Sequence, residues 1–250
     1  MDLLYGRNAI LEALRAGRRR PYTLAVARGA RAEGTLATIL DLARQRGIPI
    51  HEVDRERLDA IAEGHQGVVL EASPYPYVDL DDLIRGVSAQ SLLLLLDLIE
   101  DPQNLGTLLR TAEAVQAAGV VIPERRAAGI TPAVVNASAG AVEYLPVAQV
   151  TNLVQAMEAL REAGVWLAGL EALPEAQPYD QADWAGPMAL VVGSEGRGMR
   201  RLVRETCDFV VRLPMAGHVS SLNAAVAGSI VLYHAWRVRS AVAGHPGEGA

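Results

Sequence analysis

Five consecutive leucines, Leu92–Leu96, constrain this chain more than any other feature. A strand apolar at every position has no face to give to water, so it must be covered on both sides. That is the condition of a parallel sheet held between helices. The run is far too short to span a bilayer. Further apolar runs at Val120–Ile122, Val165–Ala168 and Met188–Val192, and a strand expected over Phe209–Leu213, alternate with helical spacing over about 105–117, 152–163 and 222–239. The alternation predicts an α/β domain over 91–240 with a mostly parallel sheet. In such sheets ligands bind at the loops beyond the carboxyl ends of the strands. The Gly/Pro-rich stretch 241–250 is expected to be a disordered tail.

The first 72 residues form a smaller α/β pattern. Ile10, Leu11 and Leu14 lie one turn apart in a helix over 8–16 that stops at Gly17, and a strand is expected over 23–27. Leu36, Ile39, Leu40 and Ala43 repeat at helical spacing before Gly47 and Pro49. Strands are expected over 48–53 and 67–71, with a short helix between them that Asp54 can cap. Ser73-Pro74-Tyr75-Pro76-Tyr77 and the acids after it read as a linker over 73–90.

All 23 basic side chains are arginine, against 29 acids, for a net charge of -6. That balance argues against a general nucleic-acid coat but not against a local basic patch. Residues 1–35 hold seven arginines and three acids, so Arg7 and the run Arg18-Arg19-Arg20 are candidates for holding a polyanion. The lone Cys207 excludes an internal disulfide and a multi-cysteine zinc site, and the scattered histidines form no HExxH pair. No metal is expected. The first ten residues do not read as a signal peptide, so a soluble, cytoplasmic protein without a membrane segment is expected.

Three loops, each after an expected strand, carry the chemistry. In DPQNLGTLLRTAEA, Asn104 stands at a helix mouth, as a cap or as a ligand. Arg110, six residues on among Leu108, Leu109 and Ala112, reads as a buried guanidinium in need of an anionic partner. In GSEGRGM, Gly193, Gly196 and Gly198 surround Glu195 and let backbone approach a ligand closely. Their spacing is not that of a dinucleotide loop, and a lysine-free chain has no P-loop. In LPMAGHVSSLNAAVA, Ser220 or Ser221 can cap the last helix, and no nucleophile elbow accompanies His218.

In this order the three loops resemble the motifs of the SpoU-type RNA ribose 2′-O-methyltransferases of the SPOUT superfamily. LYGRNAILEALRAG and HQGVVLEA resemble the L30e-like substrate-binding module of its ribosomal-RNA members. The nearest subgroup is that of the 23S ribosomal RNA guanosine-2′-O-methyltransferases. The resemblance implies a catalytic domain with a deep trefoil knot, S-adenosylmethionine as cofactor, RNA as substrate and a homodimer completing each site. It assigns Asn104, Arg110, Glu195, Ser221 and Asn223 to the catalytic pocket, with Glu195 holding asparagine or arginine partners. Gly193, Gly196, Leu213, Met215 and Leu222 go to the cofactor pocket; Arg7, Arg18, Arg19 and Arg20, singled out by charge alone, are expected to contact the RNA. Val115-Gln116-Ala117-Ala118 stands where the family turns with a glycine, so the first-motif helix is expected to run longer here. Transfer RNA as substrate, or an idle RNA-binding assembly factor on the same fold, are the competing readings.

Overall fold

The computed structural model describes residues 1–218 and 221–242. The expected disordered tail lies, from residue 243 onward, outside the described residues, as does Ser220. Contacts divide the chain into two compact units, 1–76 with 130–144, and 77–129 with 145–250.

The first unit is built on β1 (Asp2–Tyr5), α1 (Arg7–Ala16), β2 (Pro21–Ala27), α2 (Thr35–Gln45), β3 (Ile50–Val53), α3 (Arg55–Asp59) and β4 (Val68–Ala72). The sheet order is β1-β4-β2-β3, with β2 and β3 parallel and β4 antiparallel to both neighbours. Ile10, Leu11 and Leu14 on α1 and Leu36, Ile39, Leu40 and Ala43 on α2 are buried, as their spacing predicts. Gly17 closes α1 in the left-handed conformation, its N–H donating to the Ala13 carbonyl. β1 was not legible in the sequence because four residues offer too little alternation.

The second unit adds α4 (Leu80–Arg85), β5 (Leu92–Asp97), α5 (Pro102–Ala114) and β6 (Gly119–Pro123). The chain then contributes α6 (Pro132–Ala137) and a 3₁₀ turn at Ala141–Tyr144 to the first unit. It returns through β7 (Val147–Val150), α7 (Leu153–Glu162), β8 (Trp166–Leu170), β9 (Gln177–Pro178), β10 (Met188–Gly193), α8 (Arg201–Thr206), β11 (Phe209–Arg212) and α9 (Ala224–Val242). Among the described residues the larger sheet runs β7-β6-β5-β10-β8-β11-β9, every pair parallel. All six residues of β5 and of β10 are buried.

Three expectations change. The stretch 73–90, read as a linker, contains α4, whose Asp81 and Asp82 in the first turn and Arg85 in the last suit the helix dipole. Its Leu83 is buried against β6, where a Cβ on Gly119 would come within 2.7 Å of it. Residues 130–144, expected with the catalytic domain, pack into the N-terminal unit. The helix after the first motif does not lengthen: α5 ends at Ala114 and Gln116 takes a left-handed φ of 53°. Ala117 N–H donates to Ala112 O and Gln116 N–H to Glu113 O, a Schellman closure with glutamine where glycine is usual. A side chain in that conformation is strained by about 1 kcal/mol. Gln116→Gly is therefore expected to stabilise the protein by up to about 1 kcal/mol, read as a rise in the urea midpoint.

Two of the arginines expected to hold RNA are structural. Arg19 is only 4% exposed; its Nε lies 2.8 Å from Glu143 Oε1 and its Nη1 2.6 Å from Asp2 Oδ2. Arg18 lies over the Tyr75 ring and donates to the Tyr75 hydroxyl and to the carbonyls of Pro76 and Glu143. Burial pushes the Glu143 carboxyl above its ordinary value despite the opposing pull of Arg19, and pushes the Tyr75 hydroxyl up to about 12. A buried guanidinium must be paired, and these are the pairs. Arg20 remains exposed beside Tyr22, and Arg7 is half-buried at the start of α1.

Candidate active site

The three motif loops converge because their strands are parallel neighbours. β10 lies between β5 and β8, with Gly193 opposite Asp97 and Val192 opposite Leu170. β11 continues on the far side of β8, Val211 opposite Leu170. The loops after β5, β8, β10 and β11 therefore leave one edge of the sheet together.

Asp97, fully buried at the end of the leucine strand, ties two of them. Its Oδ2 accepts the Arg200 backbone N–H at 2.8 Å, and its Oδ1 accepts from the Arg200 Nε at 2.8 Å. The 194–198 loop doubles back on itself, Ser194 N–H to Gly198 O at 3.1 Å and Gly198 N–H to Ser194 O at 2.9 Å. A Cβ on Gly193 would lie 2.3 Å from the Gly198 carbonyl carbon, so no other residue fits there.

This fold presents Glu195 to two asparagines. Its Oε2 accepts from Asn104 Nδ2 at 3.2 Å and from Asn223 Nδ2 at 2.9 Å, and Asn223 Nδ2 also donates to Asn104 Oδ1 at 2.9 Å. The cap of α5 is Asp101, which accepts from the N–H groups of Gln103 and Asn104. Asn104 is thereby released from capping, which removes the bland reading of it. α9 is capped by Asn223, whose Oδ1 accepts from Ala225 N–H at 2.9 Å and Val226 N–H at 3.2 Å. Ser221, expected as that cap or as a pocket residue, lines the pocket.

Two cavities meet at this cluster. One, of about 290 Å³, is lined by Gly193, Gly196, Leu213, Met215, Ser221 and Leu222 together with Glu171 and Leu173. The other, of about 300 Å³, is lined by Leu98–Asp101 and Asn104. Ser194, Glu195 and Arg197 line both. Sequence reasoning did not single out Asp97, Glu171, Arg197 or Arg200. The one available signal was an aspartate closing an otherwise apolar strand. Cys207 is no nucleophile: burial first, then the carboxylates of Asp208, Glu171 and Asp97, push its thiol up to about 12.

Arg110 departs from expectation. It is exposed and lines neither cavity, because Leu105, Leu108, Leu109 and Ala112 take the inward face of α5. Six residues along a helix is some 240° away in angle rather than the same face. The described residues give it no anionic partner.

Residues 91–233 match the SpoU rRNA Methylase family, and residues 3–78 match RNA 2'-O ribose methyltransferase substrate binding. A Bacillus subtilis (strain 168) protein, YacO, whose name places it in the TrmH family of tRNA/rRNA methyltransferases, is 45% identical over 96% of this chain and 97% of its own length. The 23S rRNA (guanosine-2'-O-)-methyltransferase RlmB of Pseudomonas putida is 41% identical over 96% of this chain and 97% of its own. Among solved structures, the SpoU methyltransferase AviRb from Streptomyces viridochromogenes in complex with AdoMet superposes with a TM-score of 0.80 at 29% identity, covering 96% of this chain and 90% of that one.

Proposed function

Because the chain belongs to the SpoU rRNA methylase family, we propose that it transfers a methyl group from S-adenosylmethionine to a ribose 2′-hydroxyl of RNA, a guanosine of 23S ribosomal RNA. The observation that carries this reading is the Asn104–Glu195–Asn223 cluster at the junction of two cavities. Two reactants that meet at one shared wall are what a group transfer requires.

The cavity between Gly193, Leu213 and Leu222 fits the cofactor by its donor set. Leu173, Leu213 and Leu222 offer apolar walls for a purine, the backbone at Gly193 and Leu213 offers polar groups to its edge, and Glu171 and Glu195 suit a cationic ligand. When bound, S-adenosylmethionine supplies an electrophilic methyl on a sulfonium whose positive charge disappears as the ribose oxygen is alkylated. Asn104 and Asn223 orient the ribose at the junction, and Glu195 fixes both amides. Alignment of this kind supplies up to roughly 7–11 kcal/mol of barrier reduction. No side chain in the cluster needs to act as a strong base; the hydroxyl proton leaves to a phosphate oxygen or water.

Arg110 enters this reading through a second copy of the chain. Val226, Ile230 and Tyr233 recur at helical spacing on α9 and are exposed, and α9 packs on the helix that carries Arg110. In the homodimer these faces meet, and Arg110 clamps a target phosphate in the partner's site and polarises the hydroxyl. Arg110→Lys is expected to lower turnover about 10–100-fold, since an ammonium loses the bidentate fork. Near-normal turnover, or a monomer in sedimentation that still methylates RNA, removes this part of the reading.

The decisive experiment incubates the protein with tritiated methyl donor and unmodified 23S, 16S and transfer RNAs, then maps alkali-resistant linkages. Label in a 2′-O-methylguanosine of 23S RNA is expected. Label only in transfer RNA would favour the competing substrate, and cofactor binding with no label in any RNA would favour an idle assembly factor.

A further inference from the structure

We infer that the N-terminal unit carries its own RNA-phosphate cradle, formed by Arg7, Arg28, Arg31 and Arg55 around Gln66 and Gly67. The inference rests on the RNA reading above and adds where the substrate backbone is held. A cavity of about 440 Å³ opens between these residues.

Topology brings them together. β2 and β3 are parallel, with Ala27 opposite Val53, so the loop that begins at Arg28 and the helix that begins at Arg55 leave the sheet side by side. The turn before β4 supplies the third wall. Gln66 takes a left-handed φ of 55°; its Oε1 accepts the Arg7 backbone N–H at 2.8 Å and its carbonyl accepts from Arg7 Nε at 3.1 Å. Arg7 is thus held in place at the mouth.

The charge balance points to an anion. Four guanidiniums face Glu33 on the lining and Asp54 beside it. Arg28 pairs with Asp54 at 3.0 Å, but both side chains are more than half exposed, and such a pair contributes only about 0–1 kcal/mol. Arg31 and Arg55 are exposed, and the described residues give neither an acidic partner. By contrast, Arg15 and Arg44 elsewhere in this unit pair with acids one turn away. Guanidinium forks match phosphate oxygens, and a local positive surplus on a chain of net charge -6 is the footprint of a polyanion contact. The sequence-based candidates Arg18 and Arg19 are consumed inside the fold, whereas Arg31 and Arg55 at this strand end present guanidiniums that no acid among the described residues holds.

The test uses the full chain, an unmodified 23S transcript and the double variant Arg31→Gln/Arg55→Gln, with Arg44→Gln as control. Two exposed substitutions should leave the thermal midpoint in place. RNA affinity of the double variant is expected to fall about tenfold, with its salt dependence reduced by about 1–2 in log–log slope. KM for RNA should rise while kcat at saturating RNA and cofactor affinity stay within about twofold of the parent's. Wild-type affinity and slope in the double variant would overturn the cradle, as would an equal loss in Arg44→Gln. In either case a parent that methylates RNA keeps the functional reading; a parent that binds no RNA removes both.

Discussion

Asn223→Asp is expected to cut methyl transfer by about two orders of magnitude while leaving the protein folded. The side chain does two separable jobs. Its Oδ1 caps α9 through the N–H groups of Ala225 and Val226, and aspartate caps as well as asparagine. Its Nδ2 donates to Glu195 Oε2 and Asn104 Oδ1, and aspartate has no such donor. The change also sets a second carboxylate against Glu195. A hydrogen bond to a charged group contributes about 1.5–3 kcal/mol, so a misplaced cluster costs on the order of a hundredfold in kcat. Asn223→Ala should show the same catalytic loss plus about 1 kcal/mol of stability from the lost cap. Turnover with the tritiated donor and the thermal midpoint together check this. An Asn223→Asp protein with near-parental kcat would take the cluster out of the mechanism.

Glu143→Ala is expected to destabilise the N-terminal unit by about 3–5 kcal/mol. The Arg19 side chain is 1% exposed and that of Glu143 is fully buried. Removing the carboxylate leaves a guanidinium in the interior with Asp2, the Ser73 carbonyl and the Tyr75 ring as its remaining partners. Burial raises the Glu143 carboxyl even beside Arg19, and taking both charges out of water is the cost that a buried pair carries. Apolar replacement of both partners, Arg19→Met with Glu143→Leu, is accordingly expected to cost far less than Glu143→Ala, or to stabilise. Urea denaturation of the single and double variants reads the difference. A single variant within about 1 kcal/mol of the parent would show that the ion pair is not holding this unit together.

The motif loops could be read as ligand loops because each follows an apolar run and carries residues with no packing role: glycines around a carboxylate, an asparagine at a helix mouth. What misled was treating a residue's sequence neighbours as its surroundings. Arg110 looked buried among leucines, yet helical geometry turns it outward while Leu108 and Leu109 turn in. Arg18 and Arg19 looked like a basic surface, yet Glu143, distant in sequence, draws Arg19 into the interior. The segment 73–90 looked like a linker, because the apolar face of α4 is a single turn long.

The chain alone therefore determined the class of fold, the strand ends that bear the site, and the residue types gathered there. These follow from local periodicity and from the need of an all-apolar strand to be covered on both faces. Only the tertiary structure decided which polar groups meet. Glu195 pairs with Asn104 and Asn223, and Asp97 with Arg200, across long stretches of chain. Such pairings depend on strand order and register, which local pattern does not encode. A charged side chain is satisfied by whatever the fold brings within about 3 Å of it, not by what precedes or follows it in the chain.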